Sequence, residues 1–582
     1  MSWANKPAKN LDRRVSLFRG DDALNEIDTE NKSIDYDEIE SGLKSLLTID
    51  KKEIKSSRRH LQRARGPKRR SRMQQLRILL VLVSVALFVR LFFLFYAVPI
   101  AFDWDSYHHW QISYLTLKIG LAHGRMWDLT GMEYFWGILP ELLQSFLLWI
   151  SNSTSIMPFR LFNAVVGSLS SGLMYILVRR YYGAGAGVVA SLLTAFNTNL
   201  VAWDVSGVNE PLGIFFLLLS IVAYEQKIFL CGLLLGFASI CRAEFWVLSI
   251  GILFCYLVFK RSVTSFVPAF FGWLTAMAPY LYILQTQAGD FIYPLRWNYL
   301  ASYYAWTGQQ PPLIVLPPES MPYKILWAVI LVVSLVYLVK MIKKRPSDHI
   351  VRALFVGFLL FQGILFTVSY RYVAWPWTWQ WLFSPWSPGG LHDRPWMLDY
   401  FFLSTMLGLI SYSKTQPGRV GKRFLISRST ILGSIFILMS ITWLLAMVPS
   451  YEQLSNSPSG IRFWFGMADI VADSYVHGTV ITEAPPMVTY QLIQRGVSPN
   501  RILGSMYCPK YYGGNENDTL EWFKKQDATW YIHDPGNELF AELKTEGWGP
   551  FILYRQYGAF LVYKVDFSNV SHTYQLQFQL YA

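Results

Sequence analysis

The sequence predicts a polytopic α-helical membrane protein of about eleven transmembrane helices, followed by a C-terminal extracytoplasmic α/β domain. Three observations predict it. Apolar runs of membrane length recur between Arg77 and Val448, Lys and Arg gather in short clusters between alternate runs, and beyond Val448 the pattern changes to short strands alternating with helices. With 53% hydrophobic and 16% aromatic residues, the 582-residue chain is too apolar for an ordinary soluble multidomain protein. Its net charge of +13 is spread through those clusters and forms no single basic face, so it marks cytoplasmic loops and not a nucleic-acid surface. Three of the four cysteines, Cys231, Cys241 and Cys255, fall inside apolar runs, leaving only Cys508 elsewhere, which excludes a disulfide framework and zinc spacing.

Residues 1–76 pass from an acidic stretch, Asp35 to Glu40, to a basic one, Arg58 to Arg72, with no apolar face to bury. They read as a disordered cytoplasmic tail whose basic end can touch anionic membrane lipids. The layout is not that of a cleavable signal peptide, so the first apolar run stays as an anchor. Spans are expected near 77–98, 158–179, 183–203 and 209–226, as a short pair at 228–241 and 244–259, and then at 264–284, 323–341, 350–370, 396–413 and 427–448. With the amino terminus cytoplasmic, Arg179 and Arg180, Lys260 and Arg261, Lys340 to Arg345 and Lys414 to Arg428 all fall on the cytoplasmic side. Counting Glu133 to Ile150 as a span would turn the later clusters outward, so it is expected to be an interfacial helix. The transmembrane domain is thus 77–448, and 449–582 lies outside with the sequons at Asn152, Asn517 and Asn569. In that last region strands are expected at Thr479–Thr482, Arg501–Met506 and Thr529–His533. Helices should lie near Met487–Gln494, Leu520–Gln526 and Leu539–Glu546, with a closing hairpin over Gly549–Val565. Without a phosphate loop or nucleophile motif, this domain is a lid, an acceptor-positioning module or structural packing. The protein is expected to be an integral, multi-pass protein of a cell membrane, or of the endoplasmic reticulum in a eukaryote.

This topology collects polar residues on the outer face. Asp103, Asp105, His108 and His109 follow the first span, Asp204, Asn209 and Glu210 lie between the third and fourth, and Arg242 and Glu244 occupy the break between the short fifth and sixth. Asp290, Arg296, Arg371 and the run His392, Asp393, Arg394 follow. Ionisable groups at a membrane boundary are costly and mark sites that handle protons or polar substrates. A carboxylate there can take a proton from a hydroxyl, and arginine grips phosphate through two N–H groups.

The motifs resemble those of the GT-C superfamily of membrane glycosyltransferases, in the branch of the protein O-mannosyltransferases and the aminoarabinose transferase. The likeness is carried by the D-x-D of Asp103 and Asp105, by Arg160-Leu161-Phe162-Asn163 through Gly167 to Arg179, Arg180, Tyr181, Tyr182 and Gly183, by Asn209-Glu210-Pro211-Leu212, and by Leu235-Gly236 through Arg242-Ala243-Glu244. It implies a GT-C-like fold over roughly 77–450 and a polyprenyl-phosphate sugar as donor. It also implies an inverting transfer to a hydroxyl on a protein, lipid or glycan, with Asp103 or Asp105 as catalytic residue and Asp103 preferred. Glu210 would place substrate or cap its helix, Arg242 would bind donor phosphate or pair with Glu244, and Arg394, beside His392 and Asp393, is a second phosphate candidate. No cofactor is certain. His108 and His109 with the two aspartates offer donors for a divalent metal, as some relatives that transfer whole oligosaccharides use, although adjacent helical histidines point apart. The alternatives are an oligosaccharyltransferase catalytic subunit, whose Trp-Trp-Asp motif is missing, and a secondary transporter, for which no repeat is visible.

Overall fold

The computed structural model describes residues 72–119, 136–258, 262–296, 428–456, 460–484, 486–535 and 549–569. Helix α1 (Arg72–Phe92) runs into a π-helical turn, Phe93–Ala97, and α2 (Trp104–Ile119) follows. Helices α3 (Leu139–Ser151), α4 (Met157–Tyr182), α5 (Ala184–Ala195), α6 (Thr198–Ser206) and α7 (Glu210–Ala223) come next. Then come α8 (Ile228–Cys241), α9 (Glu244–Val258), α10 (Val263–Ala288) and, after a gap, α11 (Arg428–Asn456).

Among the described residues three helices are long and apolar enough to cross a membrane, Met73–Ala97, Met157–Arg180 and Val263–Gln287. A fourth crossing would be the pair Ala184–Ala195 and Leu200–Ser206, bent by 54°. The bend has a local cause, because Asn197 caps α6 by accepting a hydrogen bond from the Leu200 amide at 3.1 Å, which starts a new helix there. The span expected over 209–226 is instead a helix of 14 residues, about 21 Å long against a hydrocarbon core of about 30 Å. The spans expected at 323–341, 350–370 and 396–413 lie outside the described residues, so the count of eleven is not shown. The stretch expected as an interfacial helix contains α3, of 13 residues, with Pro140 in its first turn and Gly137 at φ +95° just before it.

The bundle packs inside out, as lipid requires. On α1 Phe88 is 71% exposed whereas Arg90 is fully buried. Helices α8 and α10 touch backbone to backbone: a Cβ at Gly232 would strike the Ala269 carbonyl, and one at Gly272 the Phe229 carbonyl. Small residues four apart, Gly232 and Gly236, open that contact where Leu on either helix would hold the backbones apart.

After α12 (Ile461–Ser474) the chain builds a five-stranded sheet from β1 (Thr479–Thr482), β2 (Ile502–Gly504), β3 (Ala528–His533), β4 (Phe551–Tyr557) and β5 (Phe560–Val565), in the order β2-β1-β3-β5-β4. β1 pairs in parallel with β2 and β3, and β5 runs antiparallel to β3 and β4. The parallel strands are joined through α13 (Pro486–Gln494) and α14 (Glu516–Lys525), the latter opened by a capping box of Asn515 and Asp518. β1 and β2 fall within the stretches expected as strands, β3 starts one residue earlier than expected, β4 and β5 form the expected hairpin, and the helix expected near Leu539–Glu546 lies outside the described residues. One hydrophobic core unites Tyr107, Trp110, Tyr114 and Leu115 of α2 with Trp464 and Met467 of α12 and Tyr490 of α13. The sheet module therefore rests on the segment that follows the first span.

Candidate active site

The site is positioned by one face of α4. Arg160, Asn163 and Gly167 follow one another at helical spacings of three and four and so share that face. The Arg160 guanidinium donates to the carbonyls of Val205 at 2.7 Å, Pro99 at 2.9 Å and Val98. Asn163 donates through Nδ2 to the Val208 carbonyl at 2.7 Å. Gly167 leaves room for the Asp204 carboxylate, which a Cβ would strike, and that carboxylate accepts from Arg90 Nε at 2.7 Å. The Arg-x-x-Asn-x-x-x-Gly pattern thus ties the end of the first span and residues 204–208 to a single helix, and Asn209 and Glu210 are delivered by the chain that follows.

From there a polar chain runs through the buried centre. Glu141, in the first turn of α3, has Oε1 2.7 Å from His109 Nδ1 and 3.1 Å from Asn209 Nδ2. The next residue, Glu210, opens α7 and is ion-paired with Arg242 at 2.5 Å. Arg242 reaches it because its backbone is extended, φ −167° and ψ 151°, in the break between α8 and α9. Trp136 closes one side, with its ring centroid 4.4 Å from that of His108 and 4.7 Å from that of His109. Desolvation brings His108 down from 6.5 to about 3, against the pull of Asp105 in the other direction. Burial likewise pushes the Tyr107 phenol up.

Of the residues singled out in the sequence, the structure joins His109 and Asn209 through Glu141, and pairs Glu210, the residue after Asn209, with Arg242. Asp103 is buried immediately before α2 and Asp105 is half-buried in its first turn, more than one helical turn before His109. Glu244 is the first residue of α9, two positions past Arg242. His392, Asp393 and Arg394 lie outside the described residues, as does Arg371. Asp204 is buried against Arg90 within the bundle, drawn there by the cation that α1 carries, and Asp290 pairs with Arg296 at 3.0 Å. Glu141 escaped notice in the sequence, although a carboxylate in an otherwise apolar helix just after a proline was a usable signal. Among the described residues no three His, Cys, Asp or Glu side chains gather as metal ligands, and His109 Nδ1 is turned to Glu141.

No curated protein matches the chain. Among solved structures the fold is similar to the apo oligosaccharyltransferase of Archaeoglobus fulgidus, at 11% identity over 80% of this chain and 70% of that one, with a TM-score of 0.44. It is also similar to ArnT from Cupriavidus metallidurans bound to undecaprenyl phosphate, at 12% identity over 84% of this chain and 97% of that one, with a TM-score of 0.44. Residues 137–284, which hold Glu141, Asn209, Glu210 and Arg242, match the family model described as dolichyl-phosphate-mannose-protein mannosyltransferase, so the resemblance to the GT-C superfamily rests on the stretch that builds most of the site.

Proposed function

We propose that this protein is an inverting glycosyltransferase that moves a sugar from a polyprenyl, dolichyl-type phosphate to an acceptor hydroxyl on the extracytoplasmic face of the membrane. The single observation that carries this reading is the convergence of remote segments on a buried polar cluster, His109 to Glu141 to Asn209, with the Glu210–Arg242 ion pair starting at the next residue of the chain. Asp103, buried at the head of the helix that carries His109, is the general base, with Asp105 beside it. It takes the acceptor proton as the hydroxyl oxygen bonds to the anomeric carbon from the side opposite the leaving group. The bond from that carbon to phosphate oxygen breaks, and the polyprenyl phosphate leaves with the electron pair.

Phosphate is already a good leaving group, so the protein's task is chiefly placement and charge stabilisation. Arg242, held by Glu210, supplies one cation, and Arg394, with His392 and Asp393 beside it, supplies another. Glu244 and His108 complete the substrate-binding set. The acceptor is a protein, lipid or glycan hydroxyl. The module over 449–582 lies outside the membrane and positions that acceptor, a role supported by the packing of Tyr490 on Tyr107 and Trp110.

The test offers the purified full-length protein a panel of radiolabelled polyprenyl-phosphate sugars, dolichyl phosphate mannose first because of the matched family, with membrane extract as acceptor. Transfer should occur with one of them and be lost in Asp103→Asn, with Asp105→Asn weakened. Transfer undiminished in both variants would remove the aspartates from the mechanism.

A further inference from the structure

Three side chains at the centre of the site carry buried atoms with no hydrogen-bond partner: Nε2 of His109, Oε2 of Glu141 and Oδ1 of Asn209. The residues are 0%, 3% and 0% exposed. They are not scattered orphans, because His109 and Asn209 both meet the same Glu141 oxygen, Oε1, at 2.7 and 3.1 Å. Buried polar atoms are almost always paired, so three unpaired ones on the three side chains that meet at this oxygen call for a partner that the described residues do not supply.

The chemistry of a group that would satisfy them can be read from the atoms. A carboxylate only accepts, so both neighbours donate to Oε1: Asn209 through Nδ2 and His109 through a proton on Nδ1. A neutral imidazole protonated at Nδ1 has Nε2 as an acceptor. Oε2 and Oδ1 are therefore acceptors, and Nε2 is a third in the neutral ring, so a ligand that donates satisfies all three. Phosphate, itself all acceptor oxygens, does not complement them, and neither does an apolar polyprenyl chain. A ligand bearing several hydroxyls does. The cation suited to phosphate is one residue along, where Arg242 pairs with Glu210, and the Trp136 ring beside His109 provides an apolar wall of the kind sugar faces pack on.

We propose that His109, Glu141 and Asn209 form a hydroxyl-binding subsite for the transferred sugar, in which Glu141 is a positioning residue that fixes the tautomer of His109. This rests on the glycosyltransferase reading and assigns its sugar-recognition element. Glu141→Gln is the informative change. The amide oxygen keeps the place of Oε1, accepting from Asn209 Nδ2 and His109 Nδ1, and the amide nitrogen takes that of Oε2, which turns an acceptor towards the sugar into a donor.

The test uses the full-length protein and whichever polyprenyl-phosphate sugar of the panel supports transfer. In Glu141→Gln and in Asn209→Leu, KM for that donor should rise about tenfold or more, equivalent to one hydrogen bond or better. The inhibition constant of the sugar-free polyprenyl phosphate should stay within about twofold, which a general structural defect would not permit. A second measurement needs no variant: wild-type protein should discriminate against at least one donor lacking a single ring hydroxyl, and Glu141→Gln should discriminate less. Equal weakening of sugar-bearing and sugar-free lipids, unchanged KM, or indifference of the wild type to every deoxy donor would overturn the subsite while leaving the transferase reading in place. Failure of the wild type to transfer any sugar of the panel would bring down the reading and the subsite with it.

Discussion

Arg90 of α1 and Asp204 of α6 face each other at 2.6 Å with side chains 1% and 5% exposed, an ion pair shut inside the helix bundle. Gly167 on α4 is the third party, because any side chain there would occupy the place of the carboxylate. Removing one charge leaves the other buried and uncompensated. Arg90→Met is therefore expected to destabilise the protein by about 3–5 kcal/mol, whereas Arg90→Leu combined with Asp204→Leu recovers most of that loss. Thermal unfolding of the single and double variants in detergent checks it, and additive losses in the double variant would contradict it.

Arg160 is expected to act on activity without touching substrate. Its three backbone acceptors, Val98, Pro99 and Val205, lie at the ends of two segments that lead into Asp103 and into Asn209. Arg160→Gln should raise amide exchange over residues 98–103 and lower transfer, while the core of α4 keeps its protection. Exchange unchanged in that loop would show that the clamp is dispensable.

The pair Glu210 and Arg242 sets a geometric requirement. Arg242→Met leaves the Glu210 carboxylate, 6% exposed, without its counter-charge. A displacement of about 1 Å at this point is expected to cost roughly a hundredfold in turnover. Arg242→Lys keeps the charge but not the planar fork and should fall between. Turnover measured at saturating donor distinguishes this from a simple loss of affinity.

His108 gives the fold an acid-sensitive element. Desolvation lowers its ring from 6.5 to about 3, so below 6.5 the unfolded chain takes up a proton that the native protein refuses. The neutral ring's contribution is complete above 6.5 and is lost as pH falls towards 3. His108→Gln should match the wild type's pH dependence at neutrality and above, and lose stability less steeply in acid. Unfolding midpoints from pH 7 down to pH 4 test this, and parallel curves for the two proteins would refute it.

Much of this was legible in the chain because lipid and strand pairing both impose simple periods. The runs near 77–98 and 158–179 correspond to membrane-length helices at Met73–Ala97 and Met157–Arg180, since a bilayer leaves few other options for uninterrupted apolar sequence. The strands at Thr479–Thr482 and Ala528–His533 announce themselves by β-branched and aromatic residues. Where hydropathy misleads is the run over 209–226, which reads as a span although α7 has only 14 residues, whereas the short α8 and α9 and the break between them at Arg242 are where the sequence puts them. Long-range pairing was hidden altogether. Nothing local marks Glu141 as the partner of His109, 32 residues away, or Asp204 as that of Arg90, 114 residues away. The motif around Arg160 was visible as a pattern, but its work of gripping carbonyls emerges only when residues 204–208 lie against it.

The Thr154 carbonyl accepts from Trp110 Nε1 at 2.9 Å and from Gln494 Nε2 at 2.8 Å. Thr154 and Gln494 are 340 residues apart, which at roughly 5–20 residues per second means that about 17–70 s of synthesis separate the two partners. Until α13 emerges, Tyr107 and Trp110 lack the Tyr490 ring and the Thr154 carbonyl lacks its second donor, so the seat of α2 on the sheet module is incomplete. Completion of the packing around α2 thus waits on the synthesis of α13. A nascent chain stalled before Tyr490 should hold its first helices inserted but α2 incompletely packed.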